Sequence, residues 1–493
     1  MQNHILLFDH SLQGFTMQPF LIASIFLILV SNVSAQSAEQ RSTLSDQKEV
    51  SVTIYNENLA LVKDQRTVHL PHGSSTLAFR DISAKMRAET ALLRSVSAPG
   101  SLSVLEQNFD FDLLTPQKLL EKYVGHTVQI IRNAPAGQET TESAQVLAAN
   151  QGVVLKIGDR IETGIPGRIV YGNVPANLRD RPTLVMLLDN TGAPEQNVEL
   201  SYLTGGLAWQ ADYVLELHAN EDQFDISGWV TLTNTSGATY NNARLQLVAG
   251  DVHQVHPQRR GRAQMDAMLA PAVTAASKEM TEESLFEYHL YTLDRPTTIA
   301  ENQTKQVALL SAAGVPVRKE YLLRGNDYYY QSSYGNIGQK IKIGVFLEFE
   351  NKESEKLGMP LPKGVVRVYK KDRSGNGQFI GEDTMDHTPK NEKVRLKLGD
   401  AFDVTADKKQ TDFQKLSASG KYNYRFESAY QVVLRNAKSE AVTVTVQEPM
   451  PGDWQILSES HPHSKDASHT AVWKVRVPPQ GSSTLEYRCL VRY

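Results

Sequence analysis

The sequence predicts a mainly β protein: several antiparallel β-sandwich modules of immunoglobulin-like type, with a small helix-plus-barrel insertion near the N-terminus. Two observations carry this expectation. Apolar, aromatic and β-branched residues alternate with polar ones over short runs, and those runs are separated by Asn, Asp, Gly and Pro. A side-chain period of two marks half-buried strands, and short strands at regular turn spacing mark sandwiches. A chain of 493 residues exceeds what one core supports, so about two to four domains are expected.

The N-terminus reads as a signal peptide over residues 1–35. Phe20 to Val30 is an unbroken apolar run, and Val33 and Ala35 form a small-residue cleavage pattern before Gln36. The run is shorter than the ~20 residues that span a bilayer. No Lys or Arg precedes it, which a true start at Met17 rather than Met1 would partly repair by supplying an amine. The mature chain is therefore expected to be periplasmic or secreted, without a membrane span. Residues 36–47 are polar and expected to be disordered. The lone cysteine, Cys489, cannot form an internal disulfide, which suits a bacterial envelope protein. It lies in a strand-like run and reads as a packed thiol. A net charge of −4 leaves no basic footprint for nucleic acid.

An N-terminal β module is expected over 48–112, opening with Val50–Tyr55. The segment 113–180 differs. Thr115 suits an N-cap, Pro116 the first helical position and Gly125 the stop, giving a short helix from Pro116 to Tyr123. Strands Thr127–Arg132, Ser143–Ala149, Gly152–Ile157 and Asp159–Thr163 then suggest a small barrel. A central sandwich region is expected over 181–405. In it Tyr213, Leu215 and Leu217 share a face, and Phe224, Ile226 and Gly228 share another strand's face. Trp209 and Trp229 are expected as core anchors. Residues 253–284 shift to basic, then Ala-rich, then charged composition, and read as a mobile insertion. A C-terminal sandwich module is expected over 425–493.

Two internal echoes support repeated modules. Val68–Phe79 resembles Val475–Tyr487. Strands also end in Asn before polar turns, at Asn234, Asn351 and Asn436. Asn tolerates turn geometry and bonds its own turn.

The chain resembles the bacterial family catalogued as domain of unknown function 4139. Leu200–Tyr202, Gly205, Trp209, Asp212-Tyr213, Asn234 and Leu245–Gly250 carry one block. Arg367–Tyr369, Ile380–Asp383, Asp386–Pro389 and Gly399–Val404 carry another, and Val442–Val446 with Gly452–Trp454 also fit. The resemblance implies an exported, β-rich protein and brings no catalytic residues. Distant relatives labelled mucoidy inhibitors carry a coiled coil that this chain lacks, so that label does not transfer.

The candidate metal or acid–base cluster is Asp383, Asp386, His387, Asp400 and Asp403. Paired carboxylates bind a divalent cation or do proton transfer if they converge; the same residues also read, and more simply, as strand exits and turns. His253-Gln254-Val255-His256, with Asp251, has metal-ligand spacing but converges only if the chain turns. His461, His463, Asp466 and His469 read as a hairpin loop. Tyr328, Tyr329, Tyr330 and Tyr334 form the candidate binding surface, flat contact area with polar tips for glycan or protein. Strand alternation there would bury either Tyr329 or its two neighbours. No nucleophile elbow, zinc-protease motif or phosphate loop is present, and Ser374–Gly377 is a hairpin turn. No cofactor is expected beyond a possible divalent cation. The leading expectation is a non-enzymatic binding or scaffolding protein of the envelope with a protein or glycan partner. The alternative is a hydrolase using the Asp383–Asp403 region.

Overall fold

A computed structural model describes residues 39–493, except 57, 111, 134–137, 151, 176–177, 251, 255–279 and 419. The apolar run at 20–30, the Ala35/Gln36 cleavage site and His256 lie outside the described residues. Among those described, no helix is long and apolar enough to cross a membrane. The chain is mainly β, and the described residues form several sheets and one α-helix.

Four-, eight- and five-stranded sheets share one apolar cluster that runs from Val50 to Leu396. The first strands, Gln47–Tyr55 and Leu59–His69, pair with each other. They also pair with Tyr240–Ala249 and Glu195–Thr204 respectively. Residues 48–112 are therefore not a closed module, and the expected break before 181 is corrected. Their apolar faces are completed only by strands far along the chain.

What does lie apart is the insertion. Strand Leu102–Asp110 pairs directly with Thr183–Asn190, Asp110 opposite Thr183, so residues 111–182 leave from the end of a hairpin. Helix Pro116–Lys122 is capped by the Thr115 hydroxyl, which accepts from the Lys118 N–H at 3.1 Å. Four strands then meander, and the fifth, Arg168–Val170, returns to pair with the first, Thr127–Asn133. Arg132 on the first strand reaches Glu162 on the fourth at 2.9 Å, so the sheet curls. It encloses its own core of Leu120, Tyr123, Val128, Ile130, Val146 and Leu155.

Arg318–Arg324, Asn336–Glu350 and the seven strands from Lys393–Leu416 to the C-terminus form one nine-stranded sheet, which also begins earlier than expected. Its outermost strands, Asp453–Glu459 and His463–Ala467, are joined by a three-residue turn, so the sheet rolls round a second core. Strands Asn336–Glu350 and Lys393–Leu416 run through both cores. Leu347, Phe349, Val394 and Leu396 sit in the first cluster, and Ile343, Val404 and Ala406 in the second. A boundary between 405 and 425 would cut this sheet, and that expectation is corrected.

Three further expectations are corrected. Residues 39–47, expected to be disordered, are ordered. Gln40–Ser42 pairs in parallel with Leu77–Phe79, Arg179 grips Glu39 at 2.7 Å, and buried Arg66 donates to the Ser42 carbonyl at 3.1 Å. Of the expected mobile insertion 253–284, residues 255–279 lie outside the described residues, and its end, Met280–Leu285, is instead a strand paired with Tyr288–Leu293. Trp229 is 39% exposed, because the inward set is Phe224, Ile226, Val230 and Leu232, which leaves residue 229 on the outer face. Trp209 is buried as expected.

Four asparagines at strand ends are buried: Asn190, Asn234, Asn351 and Asn436. In each, the side-chain oxygen accepts a backbone N–H of its own turn, from Gly192, Ser236, Gly358 and Lys438 respectively, at 2.9–3.0 Å. In each, the amide nitrogen donates to carbonyls of the turn and of a distant segment. Asn234 reaches Ala238 and Ile299, and Asn436 reaches Glu440 and Pro478. The Val68–Phe79 echo has the same basis: Asn190 lies opposite Gly73, and Asn436 opposite Gly481, the matched glycines of the two segments.

Asn234→Ala should strand two carbonyls and one N–H in the core, at a cost of about 3 kcal/mol. Exposed Asn241→Ala should stay within about 0.5 kcal/mol of wild type. Urea unfolding of both variants checks this.

Candidate functional site

The five candidate metal residues do not converge on one point. The Asp383 carboxylate accepts the backbone N–H groups of Thr384 and Lys397, at 2.9 and 2.7 Å. Asp386 is exposed. His387 Nδ1 accepts from the Lys363 N–H at 3.1 Å, and its Nε2 lies 3.3 Å from the Asn56 amide. Asp400 lies 3.8 Å from Lys397. Asp403 serves through its backbone carbonyl, which accepts from Ala437. Among the described residues, no group of three or more His, Cys, Asp or Glu side chains is placed to hold a metal ion. Asp383, Asp400 and Asp403 lie within strands, and the Asp383 and His387 side chains are taken up by backbone N–H groups of neighbouring segments. In the His461–His469 hairpin, His463 is held by Glu459 at 2.9 Å and lies between Trp454 and Trp473.

An open cleft of about 770 Å³ is lined in part by Glu216, His218, Asp225, Tyr369 and Lys370. Two ion-pair groups lie in and beside it: His218 with Asp225 at 3.1 Å, and Glu221 with Lys319 and Lys370.

The tyrosine segment is more distinctive. Asp327–Tyr330 forms a 3₁₀ turn rather than a strand, so the expected alternation is replaced by a three-residue repeat. Tyr330 is fully buried, while Tyr328 and Tyr334 are 49% and 41% exposed. Tyr330 therefore leaves the candidate surface. Tyr328, Tyr329 and Tyr334 make a triangle of edge-to-face rings, with centroids 4.8–6.2 Å apart.

Beneath this triangle lies a buried polar network. Lys408 and Glu448 form an ion pair with side chains 2% and 0% exposed, the Nζ lying 2.6 and 2.7 Å from the two carboxylate oxygens. Tyr330 donates its hydroxyl to Glu448 at 2.8 Å, and its oxygen lies 3.0 Å from the Tyr487 hydroxyl. Lys408 Nζ also sits 4.5 Å from the Tyr329 ring centre. Gln410 ties the turn down, donating to the Tyr329 and Ser332 carbonyls and accepting from the Tyr334 N–H. The Tyr430 hydroxyl donates to the Tyr329 carbonyl at 2.6 Å. Gly325 has no alternative, since a Cβ there would lie 2.0 Å from a Glu448 oxygen. Burial raises the Tyr330 and Tyr487 hydroxyls well above the usual phenol range, with the Glu448 charge adding to this. Burial likewise raises the Cys489 thiol, which is packed and not poised as a nucleophile.

Residues 198–493 match the family described as Domain of unknown function (DUF4139). The chain belongs to this family. A comparison with curated proteins finds no match. The DUF4139 region contains the tyrosine turn, the Lys408–Glu448 pair and the whole rolled C-terminal sheet, whereas the inserted barrel lies before it.

The network was missed from sequence, yet a sign of it was there. Lys408 falls on the inward set Val404-Ala406-Lys408-Gln410, and Glu448 on Val442-Val444-Val446-Glu448. Two opposite charges on apolar faces call for each other.

Lys408→Met should strand the Glu448 charge and cost about 3–5 kcal/mol. Lys408→Met/Glu448→Gln should recover part of that loss. Guanidinium unfolding followed by tryptophan fluorescence distinguishes the two.

Proposed function

We propose that the protein is an exported, non-enzymatic component of the bacterial cell envelope that works by binding or scaffolding, with the tyrosine turn as its contact surface. The observation that carries this is the triangle of Tyr328, Tyr329 and Tyr334. Two of its rings are open to solvent, and its backbone is fixed from below by Gln410 and Tyr430. Rigid aromatic side chains with polar tips give large contact area at low ordering cost. Support for the location comes from the apolar run at 20–30, the small-residue pattern ending at Ala35 and the single cysteine. The dispersed Asp383–Asp403 carboxylates offer no support for hydrolysis.

Co-sedimentation of the chain from Gln36 with envelope fragments tests this reading. Wild type is expected to pellet with the fragments, and Tyr328→Ala/Tyr334→Ala to lose most of that binding while keeping its melting temperature. Equal pelleting of wild type and variant, or none by either, contradicts it.

A further inference from the structure

The buried Lys408–Glu448 pair leaves its ammonium poorly served. Nζ gives both of its hydrogen bonds to one carboxylate, at 2.6 Å from Oε1 and 2.7 Å from Oε2. What else faces it is aromatic: the Tyr329 and Tyr430 ring centres lie 4.5 and 5.3 Å away. An ammonium has three hydrogens to place, and a buried charge is costly unless its hydrogen bonds are complete. The near-equal distances set Nζ opposite the carboxyl carbon. With ordinary C–O bond lengths they put Nζ within about 3 Å of Cδ, the separation of a near-attack arrangement.

The two carboxylate oxygens differ. Oε2 also accepts the Tyr330 hydroxyl at 2.8 Å, and the Tyr330 oxygen lies 3.0 Å from the Tyr487 hydroxyl. Burial keeps both phenols protonated, so Tyr330 is a fixed donor to Oε2. Among the described residues, Oε1 accepts from Lys408 alone. One oxygen is therefore held in place and the other is held only by the amine.

We propose that Lys408 and Glu448 condense to an amide, the ion pair being the arrangement from which the bond forms. A proton passes from Nζ to Oε1, leaving an amine and a carboxylic acid, the pair of forms that burial favours over two charges. The Nζ lone pair adds to Cδ, and the Tyr330 hydroxyl meets the negative charge that gathers on Oε2. Oε1 then leaves as water, carrying the first proton and a second from Nζ. One C–O bond breaks, one C–N bond forms, and no oxidant or reductant is consumed. The product is already provided for: its carbonyl, Oε2, keeps the Tyr330 bond, and its one N–H lies against the tyrosine rings. Hydrolysis is shut out, because the two side chains are 2% and 0% exposed. Lys393–Leu416 and Val442–Pro449 are separated in the sheet by two strands, Asn336–Glu350 and Arg318–Arg324. The amide thus crosses the core of the rolled sheet and locks the ground beneath the tyrosine turn covalently.

Mass spectrometry of the chain from Gln36, first intact and denatured and then as a tryptic digest, tests the proposal. Wild type should weigh less than its sequence by one water, and the digest should contain a branched peptide joining Lys408 to Glu448. Lys408→Met and Glu448→Leu should each carry the full sequence mass. Tyr330→Phe keeps the ring and loses the donor to Oε2, so most of its chains should also remain at full mass. A wild type of full mass overturns the proposal. So does a one-water deficit that maps to other residues or persists in Lys408→Met. Complete condensation in Tyr330→Phe would overturn the role given to that hydroxyl.

Discussion

A strand that leaves a sandwich carries its backbone polar groups through the rim of an apolar core, and any group left unpaired there costs about 1–3 kcal/mol. Four buried asparagines meet that demand in this chain, and in the same way each time. The side-chain oxygen takes an N–H of the turn, and the nitrogen gives hydrogens to carbonyls of the turn and of a remote segment. One side chain thus fixes the exit and staples two regions distant in sequence. Gly206 shows how tightly: its φ is +83°, and a Cβ there would lie 2.6 Å from the Ser236 Cα in the Asn234 turn.

Stapled exits matter because most pairing in this fold is non-local. The first strands are completed by strands near residues 200 and 245. Two long strands carry the first core into the second, so the tyrosine turn stands on a frame continuous with the rest of the chain. Within that frame the Lys408–Glu448 pair stiffens the ground under the turn. A buried pair of this kind is weak evidence for net stability; its consequence here is placement, since it holds Tyr330 inward and leaves Tyr328 and Tyr334 outward.

Local features were legible in the sequence. Period-two alternation found the strands that hold Tyr213–Leu217 and Phe224–Gly228, and Thr115, Pro116 and Gly125 marked the helix. Three of the four exit asparagines stood out because each closes an alternating run; Asn190 was passed over although Asp189-Asn190-Thr191-Gly192 has the same form. Module boundaries were not legible, since strand partners far apart leave no local mark. The tyrosine segment was read as a strand because a run of three tyrosines carries no period; bonds from Glu448, Gln410 and Tyr430, remote in sequence, fix the 3₁₀ turn. The Asp383–Asp403 carboxylates looked like a site because turn chemistry and metal chemistry draw on the same residue types.

The most direct test of the stapled-exit account is native-state hydrogen exchange of the amides of Gly192, Ser236, Gly358 and Lys438. Each sits in a turn, where exchange is ordinarily fast. The account predicts that all four exchange only on global unfolding. Ser374 and Asn376, whose N–H groups bond the exposed Asp372 side chain, should exchange orders of magnitude faster. Exchange of the four at the rate of that exposed turn would contradict it.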